Sequence, residues 1–577
     1  MKLIKAFPAR FRLQVQCLSA LGALTLAEAS AAPMQQAYVK ASHTNLAANF
    51  GSAVSLSLDF MVVGAQYEAS SSTGVNGNQN DVSATDAGAA YVFLRNGSNW
   101  TQQSYLKASN TGAGDEFGTS VAISGTTVAV GAPREDGSAT GVNGNQSGNS
   151  GTNSGAAYVF VLEGTNWIQQ AYVKPSNTRS LNIPGVGYIF GWSVAISGDT
   201  IVVGAPNESS NGIGVNGAQN NTNSYFSGAA YVFVRSGTNW SQQAYLKASN
   251  AGSGDYFGWS VALSGDTIVV GARYEGSSAL GVNGNQSDNS AGAAGAAYVF
   301  VRHGTTWTQQ AYLKASNTEV NDQFGVSVAA SDETIVVGAY WESSNATGVN
   351  GNQNNNNALN AGAAYVFVRN GATWSQQALV KASNPDPQDK FGWRTAISGD
   401  TIVIGARQEA SNATGIDGNQ NDNSAVFASA AYVFVRNGTN WIQQSYVKAS
   451  NTRANNEFGW AVAVAGSTVV VGAWSESSNA TGLNGDQSNS LTPASGAVYV
   501  FSGFGTGPRL TLIPDGMSGQ FVRFHGTAEV LYRVQRAINL LGPWETMATL
   551  AGSGSGMMEF HDTMAPAVQA FYRAALP

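Results

Sequence analysis

Seven Phe-Gly pairs recur in phase along this chain, at Phe50, Phe117, Phe190, Phe257, Phe324, Phe391 and Phe458. The spacing is 67 residues, broken once by an interval of 73. A fixed period of this length restricts the chain to a closed or stacked repeat architecture, since each unit must bury its apolar face on the next. The longer interval has a local source, the approach "SLNIPGVGYIFG", which carries six additional residues. Each unit holds four strand-like runs and no helical period. In the fourth copy they are Trp259 to Leu263, Thr267 to Ala272, Ala296 to Arg302 and Trp307 to Lys314, with Ser264-Gly265-Asp266 as a tight turn. The run Ile268-Val269-Val270-Gly271-Ala272 suits a strand covered on both faces, and its Gly-Ala end lets backbones converge. Four-stranded units around an axis are propeller blades. The main alternative, a β-solenoid, uses units of about 20 to 30 residues, too short to match.

The chain ends predict closure of the ring. A run of the type W-x-Q-Q-A-Y-L-K begins at Trp100, Trp167, Trp240, Trp307, Trp374 and Trp441, but none follows the seventh "YVF" at Tyr499 to Phe501. It stands instead at the start, as "QQAYVKAS" from Gln35 to Ser42. The seventh outer strand is therefore expected from the N-terminus, which hides edges otherwise free to pair. The expected fold class is all-β, a seven-bladed β-propeller over 33–503 closed by N- and C-terminal strands. A small β-sandwich-like domain over 504–577 follows, where "RLTLIPDG", "GQFVRFHG" and "YRVQRAINLLGPW" break with the repeat. "YRVQRAINLLGPW" and "FYR" resemble a terminal module of secreted bacterial multidomain proteins.

Residues 1–32 read as a secretory signal: Lys2, Lys5, Arg10 and Arg12 precede a largely apolar Val15 to Leu26, and Ala29-Ser30-Ala31-Ala32 offers small residues for cleavage. The lone cysteine, Cys17, lies within it, so disulfides play no part in the mature chain. Without this segment 24 Lys+Arg stand against 34 Asp+Glu, a net charge of −10, which argues against nucleic acid or an anionic membrane surface as partner. No later run approaches the roughly 20 apolar residues of a transmembrane helix.

The seven Phe-Gly pairs, with the Gly-Ala pairs at 64–65, 131–132, 204–205, 271–272, 338–339, 405–406 and 472–473, resemble the FG-GAP repeats of integrin alpha-chain propellers and of many bacterial surface proteins. The resemblance spans about residues 34 to 503. It implies a seven-bladed propeller used for adhesion or protein contact, secreted or displayed on a bacterial surface. Some members of that family bind calcium in the hairpin between the first two strands. Here the hairpins read "SGTT", "SGDT", "SDET" and "AGST", and one Asp cannot supply the several oxygen ligands that calcium takes. No metal and no cofactor are expected. The long connection after the second strand repeats "GVNGNQN" with small changes, seven times. Its Asn and Gly residues are expected to close local turns.

A glutamate sits 18 residues after every Phe: Glu68, Glu135, Glu208, Glu275, Glu342, Glu409 and Glu476. These could form an acidic ring on one face. A residue present in every unit is expected rather than that to serve the fold, here by accepting backbone N–H bonds from its own loop. Two other positions vary while the scaffold stays constant. After Phe-Gly stand Ser52, Thr119, Trp192, Trp259, Val326, Trp393 and Trp460, which could equally pack between blades. After Gly-Ala come Tyr67, Arg273, Tyr274, Tyr340, Trp341, Arg407 and Trp474 among others, where strand gives way to loop. These seven are the ligand-binding candidates, at the end of the propeller that carries the long loops. Aromatics with nearby amides suit either an extracellular protein or a surface polysaccharide as partner. His43, His303, His525 and His561 have no ligand-spaced partner, and no nucleophile elbow or phosphate loop occurs, so no enzyme activity is expected. A spacer without a specific ligand is the third reading.

Overall fold

In the computed structural model the described residues are 32–505 except 182 and 184, together with 25–26 and short segments between 510 and 575. Apart from 25–26 and 32, the leader expected over residues 1–32 lies outside them. The regular elements are all strands, and no helix among the described residues is long and apolar enough to cross a membrane.

The compact unit Met34–Ser502 consists of seven four-stranded antiparallel sheets. In the fourth blade the strands are Phe257–Ser264, Thr267–Ala272, Ala296–His303 and Thr306–Leu313, paired in that order. First strands of neighbouring blades lie against one another and are therefore innermost. Ser120, Ser193, Ser260 and Ser327 each donate a hydroxyl bond of 2.8–2.9 Å to the carbonyl of Gly191, Gly258, Gly325 or Gly392, the glycine of the next blade's Phe-Gly pair.

The repeated dipeptides are explained by backbone contact between blades. A Cβ on Gly204 would stand 2.2 Å from the carbonyl oxygen of Gly258, and one on Gly258 would stand 2.2 Å from that of Ala229. Gly258 also has φ +89°, which L side chains rarely adopt. Apolar faces of successive sheets then close on each other. Val202, Val232 and Leu246 of blade three, for example, pack with Phe257, Ile268, Tyr298 and Trp307 of blade four.

The ring closes as expected. Met34–Val39 pairs antiparallel with Ala497–Ser502 and completes the seventh sheet. A Cβ on Gly472 of blade seven would lie 2.1 Å from the carbonyl oxygen of Gly51 in blade one, the same approach made between the other blades. Outer strands interlock through a bulge at the second Gln of the Gln-Gln pair. That side chain accepts the indole N–H of the next blade's Trp, as in Trp167 to Gln103 and Trp307 to Gln243, both 2.8 Å.

In the second unit, seven described strands form two antiparallel sheets: Thr25–Leu26, Leu510–Pro514, Gln520–His525 and Met557–Asp562 in one, Glu545–Ala551, Leu531–Ala537 and Phe571–Ala575 in the other, so two residues of the expected leader pair with this unit. Arg536 of the second sheet bonds Asp562 of the first at 2.7 Å.

Candidate functional site

At the start of the first strand, pairing in blades one, four, five, six and seven skips two residues. In the fourth blade Phe257 faces Ala272 and Ser260 faces Gly271, leaving Gly258 and Trp259 outside the ladder. Such a bulge re-aims the side chain it carries. The residue it frees meets the residues that follow Gly-Ala at the end of the second strand.

The result is an arc of aromatic rings around one end of the propeller axis. Trp192 packs on Trp259 at 4.7 Å between centroids, Tyr340 on Trp341 at 5.5 Å and on Trp393 at 5.2 Å, and Trp393 on Trp460 at 5.4 Å. Trp460 stacks on Trp474 at 4.0 Å and 9°, and Trp474 meets Tyr67 of blade one at 6.4 Å. Val326, Tyr340 and Trp393 form its buried floor, with Trp259, Trp341 and Trp460 packed against it. The tryptophans after Phe-Gly thus do contact neighbouring blades, but at the axis and within the same cluster as the candidates.

Arginines are layered into this arc. The Arg273 guanidinium lies 3.4 Å from the Trp259 ring centroid and 4.4 Å from that of Tyr274. Arg407 lies 4.7 Å from Trp393 and 4.3 Å from Trp460, and Arg394 lies 4.6 Å from Trp393. Burial, then the charges of Arg407 and Arg273, push the Arg394 pKa down to about 10. Burial also lowers Arg273 and Arg407, the latter partly offset by Glu457, 3.9 Å away. All seven candidates therefore fall in one region, although Tyr340, at 6 % exposure, is floor rather than contact surface. Sequence reasoning left Trp393 and Trp460 undecided and missed Arg394. In blades two to five the corresponding residue is Ser, which was the available signal.

The repeated glutamates do not line any face; their exposures are 0–2 %. Glu68, Glu208, Glu275, Glu342 and Glu409 accept an N–H bond from the serine two residues on, as expected. Their principal partner was not foreseen. A buried lysine of the outer strand reaches each carboxylate: Lys107 to Glu68, Lys174 to Glu135, Lys247 to Glu208, Lys314 to Glu275, Lys381 to Glu342 and Lys448 to Glu409, at 2.6–3.0 Å. Lys40, from the N-terminal strand, serves Glu476 at 2.8 Å. Burial lowers the pKa of each lysine, and the facing carboxylate opposes that shift.

The Asn-rich loops are likewise turned inward on their own blades. Asn76, Asn143, Asn216 and Asn283 have φ of 54–56°. Each side-chain carbonyl accepts the N–H of the outer-strand tyrosine at 2.9 Å. Asp417 does the same for Tyr446 at 2.8 Å. Hairpin acids are held by arginines, Asp266 accepting from Arg302 and Asp199 from Arg235, both at 2.7 Å. Four aspartates placed two residues before a Phe are buried in the approach loops, and burial raises Asp115 and Asp255 to about 7 and Asp322 and Asp389 to about 8. A hollow of about 500 Å³ is lined by loops of blades six and seven, but its Arg453 is already bonded to Asn489 and other groups of the blade-seven loop.

The sequence profile described as FG-GAP repeat matches residues 33–93, 100–160, 187–233, 240–300, 307–367, 374–434 and 441–501. Six of the seven matches begin at an outer strand and end at the third strand of the next blade, so the sequence repeat straddles two sheets; the match over 187–233 begins in the approach to blade three. No curated protein sequence matches the chain significantly.

Proposed function

The chain belongs to the FG-GAP repeat family, and from that premise we propose that it is a non-catalytic extracellular binding protein whose contact surface is the aromatic and arginine arc at the loop-bearing end of the propeller axis. Repeats of this family are typical of extracellular proteins, which agrees with the leader expected at residues 1–32. One observation carries the reading. Positions that differ from blade to blade, and that the blade scaffold does not use, converge from blades one and three to seven on one contiguous surface. Large flat rings beside fixed cations are the side chains that dominate recognition surfaces. The long loops, by contrast, spend their polar groups on their own blades, so they frame the surface.

The test is a binding screen of the purified full chain against glycan panels and extracellular protein fractions, beside a Trp341→Ala variant. Trp341 is half-buried and follows the end of a strand, so its loss should leave the Tm within a few degrees of the parent. Saturable binding that falls at least about tenfold in the variant is expected, the cost typical of losing an interface tryptophan. Binding indifferent to Trp341, or no binding in any arm, overturns the proposal.

A further inference from the structure

The arc holds more positive charge than the chain neutralises there. Arg273 has no carboxylate partner among the described residues; it rests on two aromatic faces. Arg394 donates to the carbonyl oxygen of Trp393 at 3.2 Å. Arg407 has Glu457 at 3.9 Å, a separation beyond hydrogen bonding. Arg273 lies over Trp259, and Arg394 and Arg407 lie over Trp393, two rings of one packed cluster, so the three occupy one neighbourhood; burial, then the charge of Arg407, lowers the pKa of Lys390. Four cations and one facing carboxylate are thus gathered within a protein whose mature net charge is −10.

The same region contains donors without acceptors. Arg273 Nε, Arg407 Nε, Trp341 Nε1 and Trp393 Nε1 are buried and have no hydrogen-bond partner among the described residues, against one unmatched acceptor there, Glu457 Oε2. A buried donor left unmatched costs about 1–3 kcal/mol, so the arrangement suits an incoming group rich in acceptors. Between the possible sources of such a group, the donor excess decides. A peptide brings one N–H per residue that needs an acceptor, and this surface offers few. An acidic sugar brings a carboxylate, ring and bridging oxygens that only accept, and hydroxyls that do either. Its flat apolar ring face also suits an indole surface.

Resting on the binding reading above, we propose that the arc recognises a uronate-type sugar unit of an acidic polysaccharide, its carboxylate received by Arg273, Arg394 and Arg407 and its ring laid against the tryptophan faces. Bidentate capture of a planar carboxylate is the task for which guanidinium is better shaped than ammonium. The indole and guanidinium donors then meet the remaining sugar oxygens. Neutral sugars lack the group that offsets the clustered charge and are bound more weakly.

The experiment measures binding of the full chain to oligogalacturonate, to the neutral oligogalactose of the same ring, and to polyglutamate. Arg273→Gln, Arg394→Gln and Arg273→Lys variants run alongside. Expected are saturable binding of oligogalacturonate, a Kd raised about 10- to 100-fold by either Gln variant, a smaller rise for Lys, and weakening with added salt. The Tm of each variant is read first, and Arg273→Lys keeps the charge should a Gln variant misfold. Binding of oligogalactose or of a protein fraction that depends on Trp341 but not on the arginines overturns this inference and leaves the binding reading intact. Arginine-dependent binding of polyglutamate alone overturns the sugar as ligand. Silence in every arm, the earlier screen included, overturns both.

Discussion

Among single residues, the buried acids divide into two kinds that the sequence does not separate. The seven glutamates are paired with lysines, whereas Asp322 is held by the Glu319 N–H at 2.8 Å and has no bonded cation among the described residues. Burial raises its pKa to about 8, far above the roughly 3.9 of an unfolded Asp. Between those values the unfolded chain has released a proton that the folded one retains, so stability falls as pH rises from about 4 to about 8 and then levels off. Asp322→Asn removes this dependence. The variant is expected to match the parent near pH 4 and to exceed it in Tm increasingly up to pH 8; a Tm difference that does not change with pH contradicts the assignment. Blade seven already uses Asn456 at the equivalent place, buried to 5 %. As for legibility, the glutamate period was plain in the sequence and its structural role followed from repetition. The lysine partner was equally periodic, 39 residues downstream of each glutamate from Glu68 to Glu409. It was missed because an outer-strand lysine is ordinarily solvated and only the fold turns it inward.

For the strands, the limiting feature is the distance of closest approach between blades. Gly258 and Gly265 both have positive φ, +89° and +52°, but only the first meets a neighbour. Gly258→Ala would set a Cβ 2.2 Å from the Ala229 carbonyl, while at Gly265 nothing lies within 4 Å. Gly265→Ala should therefore cost about 1 kcal/mol for its backbone alone. Gly258→Ala should prevent native blade packing, seen as loss of soluble yield or a Tm lowered well beyond that of Gly265→Ala. Equal effects at the two sites would place the cost in the backbone conformation and not in the contact. The strands themselves were legible from alternation and turn residues, to within one or two residues in the fourth blade. The bulge after Phe-Gly was not, because a two-residue slip leaves no trace in hydrophobic pattern. That is why the direction of Trp259, Trp393 and Trp460 could not be read from sequence.

The whole molecule depends on a strand far from its partners in sequence. Met34–Val39 supplies the seventh outer strand, Lys40 meets Glu476, and Gln36 accepts the Trp100 indole at 3.4 Å. Removing residues 34–40 would strip an edge and leave Glu476 buried without its cation, a loss of about 3–5 kcal/mol for the unpaired charge alone. The truncated chain should melt lower and aggregate, and a peptide of residues 33–42 should restore part of the Tm; an unchanged Tm after truncation would mean that the ring does not rely on this strand. The closure was readable because the outer-strand signature is absent at one end and present at the other. The convergence of variable positions on a shared surface was only half readable, since adjacency around an axis relates residues such as Tyr67 and Trp474 that lie in the first and last blades. The closure also fixes how the propeller bears mechanical load. Met34 stands opposite Ser502 in the register, so the chain enters and leaves the ring side by side. Tension applied between those two points opens the pair like a zipper, one rung after another, instead of shearing all its rungs together, and the blade completed last is the one that yields first.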